Sequence, residues 1–307
     1  MNLDVSISGE TFTLAGLSGE PSLLVRRLAA DGAPVLYIHG ATFPSALSVA
    51  YRFEGKSWMD DLASRGFDAW AFDFAGYGGS DRPAGFGALA EGQSPIGRAP
   101  DACAQIARVI DHVLAATGAS RLSLIAHSWG SMPACLYAAQ APDRVAKLAL
   151  FGPIAQREGA SSQPIGGWRT VSIEQQLARF IEDVPPGHPS VLIESDLAQW
   201  GPTYLASDPE SASREPPRVK IPAGPAADIA DAWSGRLAYD PADISAPVLV
   251  ARGEWDHLCD DRDAAWLCSR FVRMRDAKIA KATHLMHLER SRSDLFDAVA
   301  RFLREKR

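Results

Sequence analysis

Ser128 stands in the run Leu124-Ile125-Ala126-His127-Ser128-Trp129-Gly130-Ser131, an apolar stretch that leads into a serine with small residues two positions away on either side. Pro133-Ala134-Cys135-Leu136-Tyr137-Ala138-Ala139 follows and suits a helix. A serine on a sharp strand-to-helix turn sits in a strained backbone, and bulky neighbours at the flanking positions would clash. Such a turn lifts the hydroxyl above the sheet edge, and the helix behind it offers free N–H groups to a developing anion. The pattern is G-x-S-x-G with Ala126 in place of the first glycine, and it makes Ser128 a candidate nucleophile. An ordinary tight turn is the structural alternative.

Four further segments bear polar groups at the ends of apolar runs. Val35-Leu36-Tyr37-Ile38 ends in His39-Gly40-Ala41-Thr42. The backbone N–H of Ala41, or alternatively of Thr42, can pair with that of Trp129 as a two-donor oxyanion hole. His39 suits a hydrogen-bonded structural role better than that of a base. Asp73-Phe74-Ala75-Gly76-Tyr77-Gly78-Gly79-Ser80 reads as a supporting turn, because it lacks the pattern of a phosphate-cradling loop. Val248-Leu249-Val250-Ala251 leads through Gly253 to Asp256, which can orient a histidine and stabilise its cation. Asp260, Asp261 and Glu254 compete for that role. The base is His284, which comes first after a strand expected around Ala277–Ala280; His287 is the competing base and otherwise a pocket or supporting residue. The chain order Ser128, Asp256, His284 is one of three orders in which such a triad occurs.

These residues need a rigid frame. The first thirty or so residues alternate apolar and polar positions, as an antiparallel hairpin or meander would. The runs at 35–38, 69–72, 122–126, 148–151 and 248–251 do not alternate, which fits strands buried on both faces of a parallel sheet. Ile106, Val109, Ile110, Val113 and Leu114 form a helical stripe that ends at Gly118. Leu295, Phe296, Val299, Phe302 and Leu303 form another, with Ser293 as the expected N-cap and Asp294 in the first turn. Strands alternating with helices imply a doubly wound α/β fold. The alternation breaks over about 90 residues, too long for a plain loop. We therefore divide the chain into a core of 1–154 and 243–307 and a helical cap of 155–242, with helix-like pieces at 173–181 and 191–200. Trp168, Trp200, Tyr204, Trp233 and Tyr239 argue against disorder there.

With 307 residues and a net charge of −6, the chain is large enough for a sizeable core and lacks the basic footprint of a nucleic-acid binder. Cys103, Cys135, Cys259 and Cys268 have no zinc or CxxC spacing, which fits reduced thiols. The N-terminus shows no signal-peptide pattern, and no apolar stretch approaches the ~20 residues that span a bilayer. The expectation is a cytoplasmic enzyme without metal or cofactor. Its partner is a small molecule, with a homodimer as a further option.

The segments His39-Gly40, Asp73 with Gly76 and Gly78, Ala126-His127-Ser128-Trp129-Gly130, Asp256, and His284 with His287-Leu288-Glu289 together resemble the α/β-hydrolase superfamily, from about Leu23 to Leu303. The resemblance implies an eight-stranded, mostly parallel sheet with helices on both faces and a cap inserted after strand six. Ser128-Trp129-Gly130-Ser131 is similar to the elbow of proline iminopeptidases, although His39-Gly40-Ala41-Thr42-Phe43 departs from their oxyanion loop. Epoxide hydrolases and haloalkane dehalogenases share the layout but use an aspartate nucleophile.

The implied reaction is acyl transfer to water through a serine acyl-enzyme. A small carboxylic ester, a lactone or a related acyl bond is the leading substrate class. An amide or N-terminal peptide, a carbon–carbon bond, and a non-catalytic binding role are the alternatives. The cap holds twelve acidic and seven basic residues, a net charge of −5. If that charge faced the site it would disfavour anions and tolerate an amine; the competing reading is a solvated acidic surface. His39, His287, Trp168, Trp200, Tyr204 and Trp233 are the candidate pocket residues, an apolar lining with a few polar groups, although the cap aromatics could equally be cap core.

Overall fold

In the computed structural model, residues 7–17, 19–159 and 164–305 are described. The apolar runs become strands: β1 (Glu10–Leu14), β2 (Leu23–Leu28), β3 (Pro34–Ile38), β4 (Asp68–Phe72), β5 (Leu122–His127), β6 (Val145–Phe151), β9 (Val248–Gly253) and β10 (Met274–Ile279). They form one sheet in the order β1-β2-β4-β3-β5-β6-β9-β10. The β1–β2 and β2–β4 pairs are antiparallel, as the opening hairpin requires, and the remaining pairs are parallel.

The non-alternating runs follow from burial on both faces. Leu36, Ile38, Leu124, Ala126, Leu148, Leu150, Val248 and Val250 pack into one core with helices α2 (Ala99–Thr117) and α3 (Ser131–Gln140). Their neighbours Val35, Tyr37, Ile125, Ala149, Phe151, Leu249 and Ala251 pack into the other, with α1 (Trp58–Ser64) and α8 (Arg292–Arg304). Helix α2 stops at Gly118, whose φ of 68° is left-handed. Helix α8 begins two residues earlier than its polar signal suggested. Ser291, not Ser293, is its N-cap, and the cap uses no side-chain hydrogen bond; instead Arg292 N–H donates to Glu289 O at 3.1 Å.

Between β6 and β9 the chain forms α4 (Ile173–Ala178), α5 (Glu194–Ala206) and α6 (Gly224–Ala232), and two short strands, β7 (Trp168–Val171) and β8 (Val219–Pro222). β7 and β8 pair antiparallel, so the inserted segment is mixed rather than purely helical. A capping box starts α4: Ser172 Oγ accepts from Gln175 N–H while the Gln175 side chain accepts from Ser172 N–H. Among the described residues no helix is long and apolar enough to cross a membrane, and no cysteine forms a disulfide; Cys103, Cys135 and Cys259 are buried and Cys268 is exposed.

The topology also places the site. The chain leaves β3 toward β4 on one side and then crosses to β5 on the other, so β3 and β5 are neighbours whose outgoing loops diverge and open a crevice at their C-terminal ends. Ile38 pairs with Ala126, which sets residues 39–42 beside Ser128. Gly253 pairs with Ile279, which brings the loops after β9 and β10 together.

Candidate active site

Ser128 opens a single 3-10 turn, Ser128–Gly130, between β5 and α3. Its φ is 52°, in the left-handed region that a non-glycine residue enters only under constraint. Two close approaches fix this turn. A Cβ on Gly130 would lie 2.4 Å from His39 O, and one on Gly40 would lie 2.9 Å from His127 Nδ1 and 3.3 Å from Ser128 Cβ. The small residues of both motifs are therefore what allows the β3 and β5 loops to touch.

Ser128 Oγ is 2.8 Å from His284 Nε2, and His284 Nδ1 is 3.0 Å from each carboxylate oxygen of Asp256. With Nδ1–H donating to Asp256, Nε2 is left as the acceptor for the serine hydroxyl. Asp256 is buried, which pushes its carboxyl up. The nearby His284 and the N–H groups of Cys259 and Leu258 more than offset this and hold it below its usual value. The competitors for its role have other work. Asp260 caps helix α7 (Asp261–Arg270), Asp261 pairs with Arg252 and Lys278, and Glu254 accepts from Lys281 N–H. All three sequence-assigned triad residues thus meet at one point.

His287 is not the partner of Ser128. It is buried, with Phe43, His127 and Phe151 around its ring at centroid distances of 6.3, 4.5 and 5.0 Å, and among the described residues neither ring nitrogen has a hydrogen-bond partner. Burial, then the nearby His284, pull its pKa down to about 3. Behind the loop, Glu289 accepts from Thr283 N–H at 3.1 Å and from the Thr283 hydroxyl.

Ser128 opens on a narrow cavity lined by Gly40, Ala41, Thr42, Phe43, His127, Arg179, His284 and Leu285. Ala41 and Thr42, the alternative oxyanion donors, both line it. The hydroxyl of Tyr77 donates to Ala41 O at 2.8 Å and steadies that loop. The other candidate pocket residues lie elsewhere. His39 is fully buried: Phe74 N–H donates to its Nε2 at 3.1 Å and its Nδ1 donates to Gly40 O at 2.8 Å. Trp168 is on β7, with its indole N–H on Ala88 O and Lys220 Nζ 4.0 Å above its ring. Trp200 is fully buried, stacks on Tyr204 at 5.4 Å and donates to Leu47 O at 3.0 Å. Trp233 lies beneath the guanidinium of Arg157. Bulky aromatics tend to end in packed cores because they bury the most apolar area; Trp200, with Tyr204 stacked on it, holds the inserted segment to the β3 loop, and none of these side chains lines the cavity.

Two residues of consequence lack a sequence signal. Arg179, at the C-terminal end of α4, lines the cavity. Asp228 on α6 accepts from the Trp129 indole N–H at 2.8 Å and from Ala99 N–H at 2.7 Å, and pairs with Arg98. The Trp129 side chain consequently points into the protein and is almost fully buried. Glu182, Asp183 and His257 bring potential metal-ligand atoms within 4.8 Å of one another, a grouping that no local spacing could have announced.

The fold has counterparts elsewhere. A family model described as the alpha/beta hydrolase fold matches residues 33–291. Triacylglycerol lipases of Pseudarthrobacter phenanthrenivorans and Burkholderia plantarii are each 32% identical over 174 residues, or 56% of this chain. The match spans only 43% and 38% of those two proteins. A hydrolase from Pseudomonas aeruginosa PA01 superposes with a TM-score of 0.64 at 18% identity, covering 97% of this chain and all of the other. On the family match and the sheet topology together, the chain belongs to the α/β-hydrolase-fold family.

Proposed function

We propose that the protein is a serine hydrolase that cleaves a small-molecule carboxylic ester, lactone or related acyl bond. The observation that carries this is the continuous hydrogen-bonded line from Asp256 through His284 to Ser128 Oγ, ending at a cavity. His284 Nε2 takes the hydroxyl proton as Ser128 Oγ attacks the carbonyl carbon. Asp256 holds the tautomer and stabilises the imidazolium. The backbone N–H groups of Trp129 and Ala41, or Thr42 in place of Ala41, receive the oxyanion. His284 then protonates the leaving group and activates the water that releases the acid. The curated relatives are lipases, which agrees with ester chemistry. An amine-binding peptidase site would need carboxylates facing Ser128, and none lines the cavity.

The test is hydrolysis of p-nitrophenyl acetate and butyrate by wild type and Ser128→Ala, with intact-protein mass after fluorophosphonate treatment. Turnover and one adduct are expected for wild type, and neither for the variant. A wild type that neither turns over nor labels refutes the assignment.

A further inference from the structure

We propose that Arg179 sets the specificity of this site, and that it selects a substrate carrying a carboxylate close to the bond that is cut. The proposal rests on the serine-hydrolase reading above.

The argument begins with what Arg179 lacks. It lies on the cavity wall with Ser128, His284, Thr42, Phe43 and Leu285, yet among the described residues its guanidinium makes no hydrogen bond. Its Nε is buried without a partner. The nearest carboxylate oxygen, on Glu182, is 4.0 Å away, beyond hydrogen-bonding distance. Three of the five other arginines of the same segment are paired: Arg157 with Asp263, Arg214 with Asp208 and Arg236 with Asp231. The side chain as a whole stays 31% exposed, but its Nε is cut off from water, and a buried donor of a cation left open is costly unless something else completes it.

The surroundings favour an anion as that completion. Burial lowers the pKa of Arg179, and the neighbouring Arg169 lowers it further, against the pull of Glu182, Asp183 and Asp256. Even so, a guanidinium stays charged at neutral pH. The acidic residues that give this segment its −5 charge do not reach the cavity. Asp228 is spent on Trp129, Ala99 and Arg98, Asp208 on Arg214 and Lys220 N–H, and Asp183 on His257. A net-charge argument from the sequence therefore points the wrong way here, because the one charged side chain on the cavity wall that can face a substrate is a cation. A planar carboxylate matches the guanidinium fork and can take two parallel N–H donors. Phe43 and Leu285 would flank the few carbons between that carboxylate and the reacting carbonyl. The cavity is narrow, which limits the substrate to a small one.

The test compares charged and uncharged isosteres on wild type, Arg179→Met and Arg179→Lys. One pair varies the acyl side: the p-nitrophenyl half-ester of glutarate against the ester in which an isopropyl group replaces the carboxylate. The other varies the alcohol side: p-carboxyphenyl butyrate against p-isopropylphenyl butyrate. In at least one pair, kcat/KM should favour the anion in wild type, and that preference should fall about ten- to a hundredfold in Arg179→Met, with partial recovery in Arg179→Lys. Calorimetry provides a readout without turnover: glutarate should bind Ser128→Ala and fail to bind the Ser128→Ala, Arg179→Met double variant. If neither pair favours the anion while fluorophosphonate still labels Ser128, the proposal falls and the hydrolase assignment stands. An anion preference that survives in Arg179→Met also overturns it. Absence of both labelling and turnover removes the hydrolase assignment and this proposal with it.

Discussion

Replacing Glu289 by glutamine should remove a defined, pH-dependent part of the folding free energy. Glu289 is fully buried behind the histidine loop, and its hydrogen bonds come from the backbone and hydroxyl of Thr283, the residue before His284, with a longer one from Ser291. Burial raises its carboxyl from 4.5 to about 7; the Thr283 hydrogen bonds resist, and Asp183 adds to the rise. Between those two pH values the folded chain keeps a proton that the unfolded chain has released. Stability from this group is therefore complete below about pH 4.5, declines as the pH rises, and is exhausted above about pH 7. At ~1.4 kcal/mol for each pH step, the whole decline is about 3 kcal/mol. Urea unfolding of wild type and Glu289→Gln at intervals from pH 4.5 to 8.5 reads it directly. The difference between the two curves should fall by that amount across the window and be flat on either side. A constant offset from the altered Thr283 contact would not matter. Parallel curves would show that Glu289 is ionised in the fold throughout, and would refute the reasoning.

Two other substitutions probe how the elbow is held. Gly40→Ala brings a methyl group to 2.9 Å from His127 Nδ1 and 3.3 Å from Ser128 Cβ. It should cost about 1–3 kcal/mol in urea unfolding, and a nucleophile shifted by a fraction of an ångström should lose on the order of a hundredfold in kcat. Asp228→Ala strips the buried acceptor from the Trp129 indole and Ala99 N–H. It should cost about 2–4 kcal/mol and lower kcat more than it raises KM for p-nitrophenyl butyrate, with Asp228→Asn recovering part of both. An unchanged kcat in Asp228→Ala would show that the elbow does not depend on the indole.

The proposed triad could be read from the sequence because each candidate sits just beyond a short apolar run, and such runs become parallel strands whose ends share one edge. Local pattern located Ser128, Asp256 and His284, and strand register then brought them together. Arg179 was not legible for the opposite reason. It closes a six-residue helix whose Ser172-Gln175 capping box marks only a helix start, and its place on the cavity wall beside Ser128 is set by the tertiary fold. The aromatic residues of the inserted segment were visible as core formers, but not which surface they would cover. β7 and β8 were missed because four-residue strands separated by 47 positions carry too little alternation to stand out. Ser293 lost its capping role because the polar run Ser291-Arg292-Ser293 offers several starts, and the backbone bond to Glu289 O selects the first.

The crowd of imidazoles around the nucleophile governs where a proton can travel. The His127 ring lies 5.1 Å from that of His284 and 4.5 Å from that of His287, centroid to centroid. Burial, reinforced by the neighbouring rings, keeps both well below the ordinary histidine range. In the proposed reaction, where Ser128 gives up its hydrogen, burial disfavours either ring as a cation, and His39 is likewise depressed by burial. Of the four histidines, only His284 has a carboxylate hydrogen-bonded to its ring. On the proposed mechanism the two extra rings offer no side path, so the hydrogen lent to His284 would go back to the reacting atoms.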